Sequence, residues 1–467
     1  MGSRTSRHLV PFHGEGTGEG ELTWGQQGIW LTMARTGRTM NIGGVTPVEA
    51  GTTLGELENV LGSLVGRHQT LRTRLRLVPG GLPRQVVAAS GEVPFDVVDI
   101  DPGDDADAAA EALRGHYEFT PFDHEHEWPV RMGVVRRGGT LVHLVVQYSH
   151  LAVDGFGIEV LIRDLPHLGD PAAPVAGLRP LALAAQQRSP AGLRQSAKSL
   201  RYWAGRLRGI PAERFGARLP GQRPRFRELV CRSPALHLAL QVVAARTRVG
   251  TGHVLLAAYA VAMARVTGRS PSVAQVLVSN RFRAGCAECA GHLTQPSICV
   301  LDVADCRFDE VVARAWKEAT TAYLHGYYDT LAHQELLDAV ARERGGPVDI
   351  SCFVNDRRGQ ESMSTPGTGA PPPTPAAVRA ALPRTTVRWD RALDTYDGTF
   401  YLQVDQGPDA VDLAIWADTQ RLAPQDIERC ARELESAAVE AALDPTASTG
   451  VHAHTARSTA DSTGSSI

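Results

Sequence analysis

Residues 140–165 read TLVHLVVQYSHLAVDGFGIEVLIRDL, a stretch that combines a strand, a sharp break and a helix. The run Thr140–Tyr148 is apolar and β-branched enough to predict a buried strand. Apolar residues return at helical spacing over Gly155–Leu165, on one side of the predicted helix. The segment SHLAVDG, Ser149–Gly155, therefore lies on a strand-to-helix connection, where a rigid frame can present side chains to a ligand.

The chemistry of this connection centres on His150, at the point where the strand ends. A neutral imidazole, with an unperturbed pKa of ~6.5, can accept or position a proton. Asp154, if buried, needs a cationic or hydrogen-bonding partner because an isolated buried carboxylate is costly. Gly155 permits a tight approach to the next helix. A His close to an Asp also arises often by chance, so these residues alone leave a catalytic and a purely structural interpretation open.

Other catalytic signatures are missing from the sequence. It contains no GxSxG, HExxH or GxxxxGK[ST], and no GxGxxG between a strand and a helix. Ser149 and His150 are adjacent at a strand end and should point to opposite faces, which argues against a Ser–His nucleophile pair. Cys286 and Cys289 form a CxxC without a second pair at zinc-finger spacing, so we interpret them as buried or incidental thiols. Seven cysteines, an odd number, argue against a disulfide framework.

The surrounding pattern predicts a mixed α/β chain of two lobes, since 467 residues are too many for one compact core. The predicted parts are an irregular N-terminal segment at 1–20, a first lobe at 21–175, a linker at 176–195, a second lobe at 196–445 and a disordered tail at 446–467. A Pro-rich stretch, 362–383, is predicted to be a mobile loop without a helix. The cleft between two lobes is the default ligand site.

Helical and strand periodicities place the individual elements. Helices are predicted at 24–35, 53–65, 106–117, 155–165, 251–267, 308–323, 332–342 and 424–442. Strands are predicted at 41–48, 74–78, 84–88, 140–148, 273–278, 348–354, 400–405 and 410–416, the last two as a hairpin.

The composition is that of an ordinary globular protein, with 43% apolar and 21% charged residues. The net charge of -3 favours neither nucleic acid nor a membrane surface as a partner. No apolar run approaches the ~20 residues that span a bilayer. The N-terminus lacks the apolar core of a secretory signal. We expect a cytoplasmic monomer, and the abundance of Ala, Arg, Gly and Val is typical of an actinobacterial source.

Several motifs follow one another in a characteristic order. In the first half they are LTWGQQGIW (22–30), RHQTLRTRL (67–75), FTPFDHEHEWPVRMGVV (119–135) and SHLAVDG (149–155). In the second half they are YWAGRL (202–207), LLAAYAVAMARVTG (255–268), VLVSNR (276–281) and AGHLTQPSICV (290–300). Together they resemble the condensation domains of nonribosomal peptide synthetases, in the chloramphenicol-acetyltransferase-like superfamily, over roughly residues 20–445.

This resemblance implies two acetyltransferase-like lobes that form a V-shaped pseudo-dimer with an interlobe tunnel. His150 matches the functional second His of the family motif HHxxxDG, and Ser149 replaces the first His, which supports the fold more than the chemistry. Asp154 matches a structural aspartate, and Arg281 matches the arginine that pairs with it across the lobe interface. Gly155 would allow the tight exit into the helix. Gln295 stands at the position of a family asparagine.

The implied activity joins an acyl or aminoacyl group from a carrier-protein thioester to an amine or hydroxyl, as an amide or an ester. The donor would arrive on the phosphopantetheine arm of a separate carrier protein, since no adenylation or carrier motif accompanies the domain in this sequence. The acceptor would be a small-molecule or carrier-bound amine or alcohol. No permanently bound cofactor and no metal are implied.

Two other functions stay open. One is a coenzyme A-dependent or polyketide-associated acyltransferase of the same superfamily, and the other is a non-catalytic module that recruits other enzymes. The segment 188–227 holds eleven Arg and Lys residues against one acidic residue, Glu213. This segment could steer an acidic carrier protein to the domain. A solvated linker helix is the simpler interpretation of the same charges.

Overall fold

The chain forms two compact units that do not correspond to a single cut in the sequence. A computed structural model describes residues 4–170, 173–359, 363 and 371–453. Unit 1 comprises Met1–Tyr202, Val278–Gln295 and His325–Ala339, and unit 2 comprises Trp203–Leu277, Pro296–Leu324 and Val340–Ile467. The predicted lobes, 21–175 and 196–445, therefore need correction, because two segments of the second half pack with the first half.

The described chain contains helices and strands throughout its length. The helices are α1 (Trp24–Thr36), α2 (Leu54–Arg67), α3 (Ala106–Phe119), α4 (Gly155–Asp164), α5 (Pro180–Arg188), α6 (Pro190–Gly209), α7 (Pro234–Thr247), α8 (Thr251–Thr267), α9 (Phe308–Leu324), α10 (Thr330–Glu343), α11 (Pro375–Ala381) and α12 (Pro424–Leu443). The strands are β1 (Arg4–His13), β2 (Gly18–Glu21), β3 (Asn41–Pro47), β4 (Thr73–Arg76), β5 (Arg84–Val87), β6 (Ser90–Ile100), β7 (Val130–Arg137), β8 (Thr140–Ser149), β9 (Phe226–Ser233), β10 (Ser272–Val278), β11 (Gln295–Leu301), β12 (Cys352–Asp356), β13 (Thr386–Leu393), β14 (Phe400–Gln406) and β15 (Val411–Asp418).

Unit 1 is built on a five-stranded sheet of order β1-β6-β7-β8-β3, beside a small sheet of order β2-β5-β4. The predicted strand β8 lies inside the larger sheet, antiparallel to both β7 and β3. Helix α2 packs the predicted apolar stripe, including Leu61 and Val65, into the core that also holds Val10 of β1. This packing makes β8 a rigid support that ends at Ser149.

Unit 2 contains a seven-stranded sheet of order β11-β10-β12-β14-β15-β9-β13. Helix α8 is buried over almost its whole length and packs against α12 and α9, as its continuous apolar character predicts. The predicted hairpin is confirmed, because β14 and β15 pair antiparallel from Phe400 opposite Ala417 to Gln406 opposite Val411. In the described part of the chain no single helix is long and apolar enough to cross a membrane, although the bent pair α7 and α8 passes that test together.

The irregular N-terminal segment predicted at 1–20 was wrong. Residues Arg4–His13 form the edge strand β1, which pairs with β6 over its whole length. The side chains of Val10 and Phe12, two residues apart on the strand, are buried in the core. This short alternation was missed because the residues around it are polar or glycine. The segment predicted as a linker, 176–195, contains α5 and the start of α6 and belongs to unit 1.

Two further boundaries differ from the prediction. Helix α11 lies within the stretch predicted to be helix-free, because Pro375 occupies the first turn, where no helical hydrogen bond is lost, and Thr374 caps it. Residues 360–362 and 364–370 of that stretch lie outside the described residues. In the predicted tail, Thr449 and Val451 are buried, and the carbonyl of Val451 accepts from the backbone of Asp305. Residues 454–467 lie outside the described chain.

Candidate active site

The connection after β8 is a compact turn held by its own backbone. The carbonyl of Ser149 accepts hydrogen bonds from the amides of Ala152 (2.9 Å) and Val153 (3.4 Å). The Ser149 hydroxyl accepts from the amide of Leu151 at 3.4 Å, and Ser149 is fully buried. Ser149 therefore stabilises the turn and is not presented to a ligand, in keeping with the structural role that the resemblance implied.

His150 is held in one orientation by this turn. Its Nδ1 lies 2.8 Å from the carbonyl oxygen of Val153. A carbonyl can only accept, so the proton of the neutral ring is on Nδ1 and the lone pair is on Nε2. The backbone amide of His150 donates to the carbonyl of Met40 at 2.9 Å. These contacts fix the orientation and the neutral tautomer of the ring at the end of β8.

Asp154 and Arg281 form the predicted ion pair. The two guanidinium NH₂ groups lie 3.0 and 2.7 Å from the two carboxylate oxygens, and the side chains are only 2% and 5% exposed for Asp154 and Arg281. Burial by itself would raise the pKa of Asp154, but the charge and hydrogen bonds of Arg281 hold that pKa below its usual range. Both residues belong to unit 1, so the prediction that the pair joins two lobes needs correction.

The carboxylate of Asp154 also fastens the segment Val278–Gln295 to the turn. Its Oδ2 accepts from the amides of Leu293 and Thr294 at 3.0 Å and from the Thr294 hydroxyl at 2.8 Å. Its Oδ1 caps α4 by accepting from the amide of Gly157 at 2.8 Å. Several hydrogen-bond donors therefore stabilise the ionised form of Asp154, which agrees with its lowered pKa.

Gln295 has a comparable structural task. Its side-chain amide donates to the carbonyl of Tyr328 at 2.9 Å, and its carbonyl oxygen accepts from the amide of Tyr328 at 3.4 Å. This two-way exchange holds the segment His325–Ala339 against the segment that carries Arg281.

A second imidazole, His292, contacts His150 and was not identified from the sequence. The ring centroids are 4.9 Å apart and the planes meet at 74°, an edge-to-face contact. His292 is buried, and its Nε2–H donates to the carbonyl of Thr294 at 3.0 Å. Burial, reinforced by His150, lowers the pKa of His292 to about 4. Because 142 residues separate the two histidines, no local pattern signals the contact, although His292 lies inside a motif that the resemblance includes.

The glycine that allows the close approach is Gly157 and not Gly155. A Cβ atom at Gly155 would meet no atom within 4 Å, and the backbone there is not left-handed. A Cβ atom at Gly157 would lie 2.2 Å from the carbonyl oxygen of Ala290. The sequence predicted the close backbone approach at Gly155, but it occurs two residues later, at Gly157. There α4 contacts the segment that carries Arg281.

Comparisons with known proteins identify the family of this chain. The family model named Condensation domain matches residues 17–348. The chain belongs to the condensation-domain family. Phosphinothricin tripeptide synthetase PhsC of Streptomyces viridochromogenes is 29% identical over 293 residues, which are 59% of this chain and 27% of that synthetase. The domain therefore spans about a quarter of the length of this curated relative.

Solved structures, among them the first condensation domain of the CDA synthetase, confirm the predicted two-lobed, acetyltransferase-like fold. SgcC5 of Streptomyces globisporus, in complex with an aryl-1,2-ethanediol and sucrose, is 18% identical with a TM-score of 0.68, over 92% of this chain and 100% of that chain. The complex of the X-domain and OxyB from teicoplanin biosynthesis gives 18% identity and a TM-score of 0.68, over 94% and 96%. The V shape and the interlobe tunnel stay predictions.

The cysteines of this condensation domain are packing residues. All seven are buried free thiols, and Cys286 and Cys289 share an apolar cluster with Leu183 and Leu293. Burial raises the pKa of the Cys289 thiol to about 12, and its Sγ donates to the carbonyl of Leu178 at 3.2 Å. Over the described residues no group of three or more His, Cys, Asp or Glu could hold a metal ion.

Ion pairs neutralise part of the basic segment 188–227. Arg206, Arg208 and Arg225 pair with Glu318, Glu343 and Asp418, and Arg214 is buried with its guanidinium donating to backbone carbonyls. Arg194, Lys198 and Arg201 lie exposed on α6, three or four residues apart. Arg218 and Arg223 are exposed as well, so a substantial part of the predicted cationic surface faces solvent.

Proposed function

We propose that this condensation domain transfers an acyl or aminoacyl group from a carrier-protein thioester to an amine or hydroxyl, with His150 as the group that handles the proton. The observation that carries the proposal is the geometry of His150. Its Nδ1–H is committed to the carbonyl of Val153, which leaves the lone pair on Nε2, and the turn that bears it is fastened by Asp154 and Arg281. Family membership supports condensation as the reaction type.

The proposed reaction proceeds by addition and elimination. The lone pair of the amine or hydroxyl attacks the thioester carbonyl carbon, the new C–N or C–O bond forms, and Nε2 of His150 takes the proton of the nucleophile. The tetrahedral intermediate then collapses and the C–S bond breaks. The phosphopantetheine thiolate leaves and receives the proton back from His150, so the enzyme returns to its starting state. A positioned base typically contributes ~10²–10⁴-fold, and alignment of two reactants can contribute as much or more.

Asp154 and Arg281 act in this proposal by holding the loop. The oxygens of Asp154 already accept from Arg281, Leu293, Thr294 and Gly157, so they serve the frame and do not handle the substrate. Loss of this frame would displace His150, and an error of about 1 Å in alignment can cost ~10²-fold in rate.

The donor in this proposal is a carrier protein with its phosphopantetheine arm, because condensation domains act on carrier-bound substrates. The proposed nucleophile is an amine or a hydroxyl. The hydroxyl stays a candidate because the structurally similar SgcC5 holds a diol. The working state we propose is a cytoplasmic monomer. Recruitment without catalysis is the second candidate, because the X-domain of teicoplanin biosynthesis shares the fold and is seen in complex with OxyB.

The test is a condensation assay with His150→Ala, a carrier protein loaded with an acyl group, and product detection by mass spectrometry. The control is His143→Ala, on the same strand β8, where the half-buried His143 pairs with the exposed Asp107. We expect at least a ~100-fold loss for His150→Ala and little change for the control. Undiminished turnover by His150→Ala contradicts the mechanism. Equal turnover with an acyl-coenzyme A donor favours the coenzyme A alternative, and partner binding without turnover favours recruitment.

A further inference from the structure

We propose that His292 is a positioning residue for His150: its neutral ring contacts that imidazole and holds it in the orientation that presents Nε2 to the nucleophile. This inference rests on the proposed function and adds a residue to its site. It follows from the edge-to-face contact of the two rings, 4.9 Å between centroids, within unit 1.

His292 is itself immobilised. Its Nε2–H donates to the carbonyl of Thr294, while the amide and hydroxyl of the same threonine donate to Asp154. The ring also meets the start of α1, where a Cβ atom at Gly25 would lie 2.7 Å from Cδ2 of His292. The ring is thus confined by Gly25 and anchored through Thr294 to the carboxylate that fastens the loop of His150.

The environment of His292 favours its neutral form. Its Nδ1 is buried and accepts no hydrogen bond from the described residues, so a proton placed there would have no acceptor. The charged or titratable groups that act on the ring are His150 and Arg281, which oppose a positive charge, and Asp154, which favours one. Burial has the largest effect and excludes the charge. A neutral neighbour lets His150 become an imidazolium during the reaction without repulsion from a second cation.

The experiment compares His292→Ala, His292→Gln and His292→Phe in the condensation assay, and records ¹⁵N spectra of the histidine side chains. A matched control is His253→Phe, because His253 is also a buried imidazole with a pKa lowered by burial but belongs to unit 2. We expect Ala and Gln to lower kcat about tenfold to a hundredfold while KM changes less than about twofold, because alignment is lost and binding is not. The ¹⁵N spectrum should show His150 leaving the Nδ1–H tautomer in the Ala and Gln variants. Phe keeps an aromatic ring against His150 but lacks the Nε2–H donor to Thr294, so it should restore part of both readouts.

The outcomes separate this inference from the proposed function. If His150→Ala keeps full turnover, the proposed function fails whatever His292 does. Suppose that His150→Ala is inactive, but the Ala and Gln variants of His292 have the same kcat and the same His150 tautomer as His253→Phe. The positioning role of His292 is then wrong. It is also wrong if Phe loses as much kcat as Ala and Gln. Should His292→Ala fail to fold, the Gln and Phe variants decide.

Discussion

The carboxylate of Asp154 and the guanidinium of Arg281 form a bidentate pair of hydrogen bonds, 3.0 and 2.7 Å long, although 127 residues separate them in the chain. Both groups are almost fully buried. A bidentate pair of this kind fixes direction as well as distance, since both partners are planar. It therefore fastens the segment Val278–Gln295, which carries His292, to the turn that carries His150.

Loss of the Asp154 charge should damage the fold at least as much as the rate. Asp154→Ala leaves the Arg281 guanidinium buried without its counter-ion, which typically costs ~3–5 kcal/mol. We expect a lower yield of folded protein and a lower free energy of unfolding by urea denaturation. The control is Glu288→Gln, which breaks the exposed pair of Arg163 and Glu288 and should cost no more than ~1 kcal/mol. An Asp154→Ala variant that is as stable as the wild type but inactive would refute the structural role.

Two glycines of α4 should respond oppositely to alanine. Gly157→Ala places a Cβ atom 2.2 Å from the carbonyl oxygen of Ala290, and backbone cannot move aside cheaply, so we expect a loss of ~1–3 kcal/mol. Gly155→Ala meets no atom within 4 Å and should stay within ~0.5 kcal/mol of the wild type or stabilise the helix. Thermal or urea denaturation of both variants checks this prediction, and equal effects would contradict it.

A second pair of glycines tests the support of His292 from α1. Gly25→Ala would press against the ring and carbonyl of His292, 2.7 Å from each, whereas a Cβ atom at Gly28 meets nothing within 4 Å. We expect Gly25→Ala to lower kcat by about tenfold or more through displacement of the imidazole pair. Gly28→Ala should keep its stability or gain up to ~1 kcal/mol from helix propensity. Full activity of a folded Gly25→Ala variant would contradict the proposal that α1 supports His292.

Stability should fall in mild acid. Burial lowers the pKa of His292 to about 4 and that of His333 to about 3, whereas an unfolded imidazole titrates near ~6.5. Between pH ~6.5 and ~4 the unfolded chain therefore binds protons that the folded chain does not, so the free energy of unfolding decreases as the pH is lowered through this window. For His292 the full effect is about 3 kcal/mol. Urea denaturation at pH 7.5 and pH 5 should detect about 2 kcal/mol of the His292 effect. His292→Phe should reduce the pH dependence by that amount and leave the part due to His333; an unchanged slope would contradict this assignment.

Much of the site could be predicted from the sequence because its strand, turn and helix follow from local residue patterns. The run 140–165 predicted β8, the turn and α4, and the resemblance pointed to Asp154 and Arg281 as partners. The edge strand β1 was missed because its inward residues, Val10 and Phe12, are few and surrounded by polar ones. Strand β1 is stabilised by pairing with β6, a contact between distant residues that no short window contains.

The sequence by itself determined the strand-to-helix connection, the position of His150 at the end of the strand and the need of Asp154 for a cation. Only the tertiary structure decided that Arg281 satisfies this need within one unit, that Gly157 is the close-approach glycine, and that His292 contacts His150. The physical reason is that periodicity and turn chemistry act over a few residues, whereas burial, ring contacts and close backbone approach depend on which distant segments the folded chain brings together.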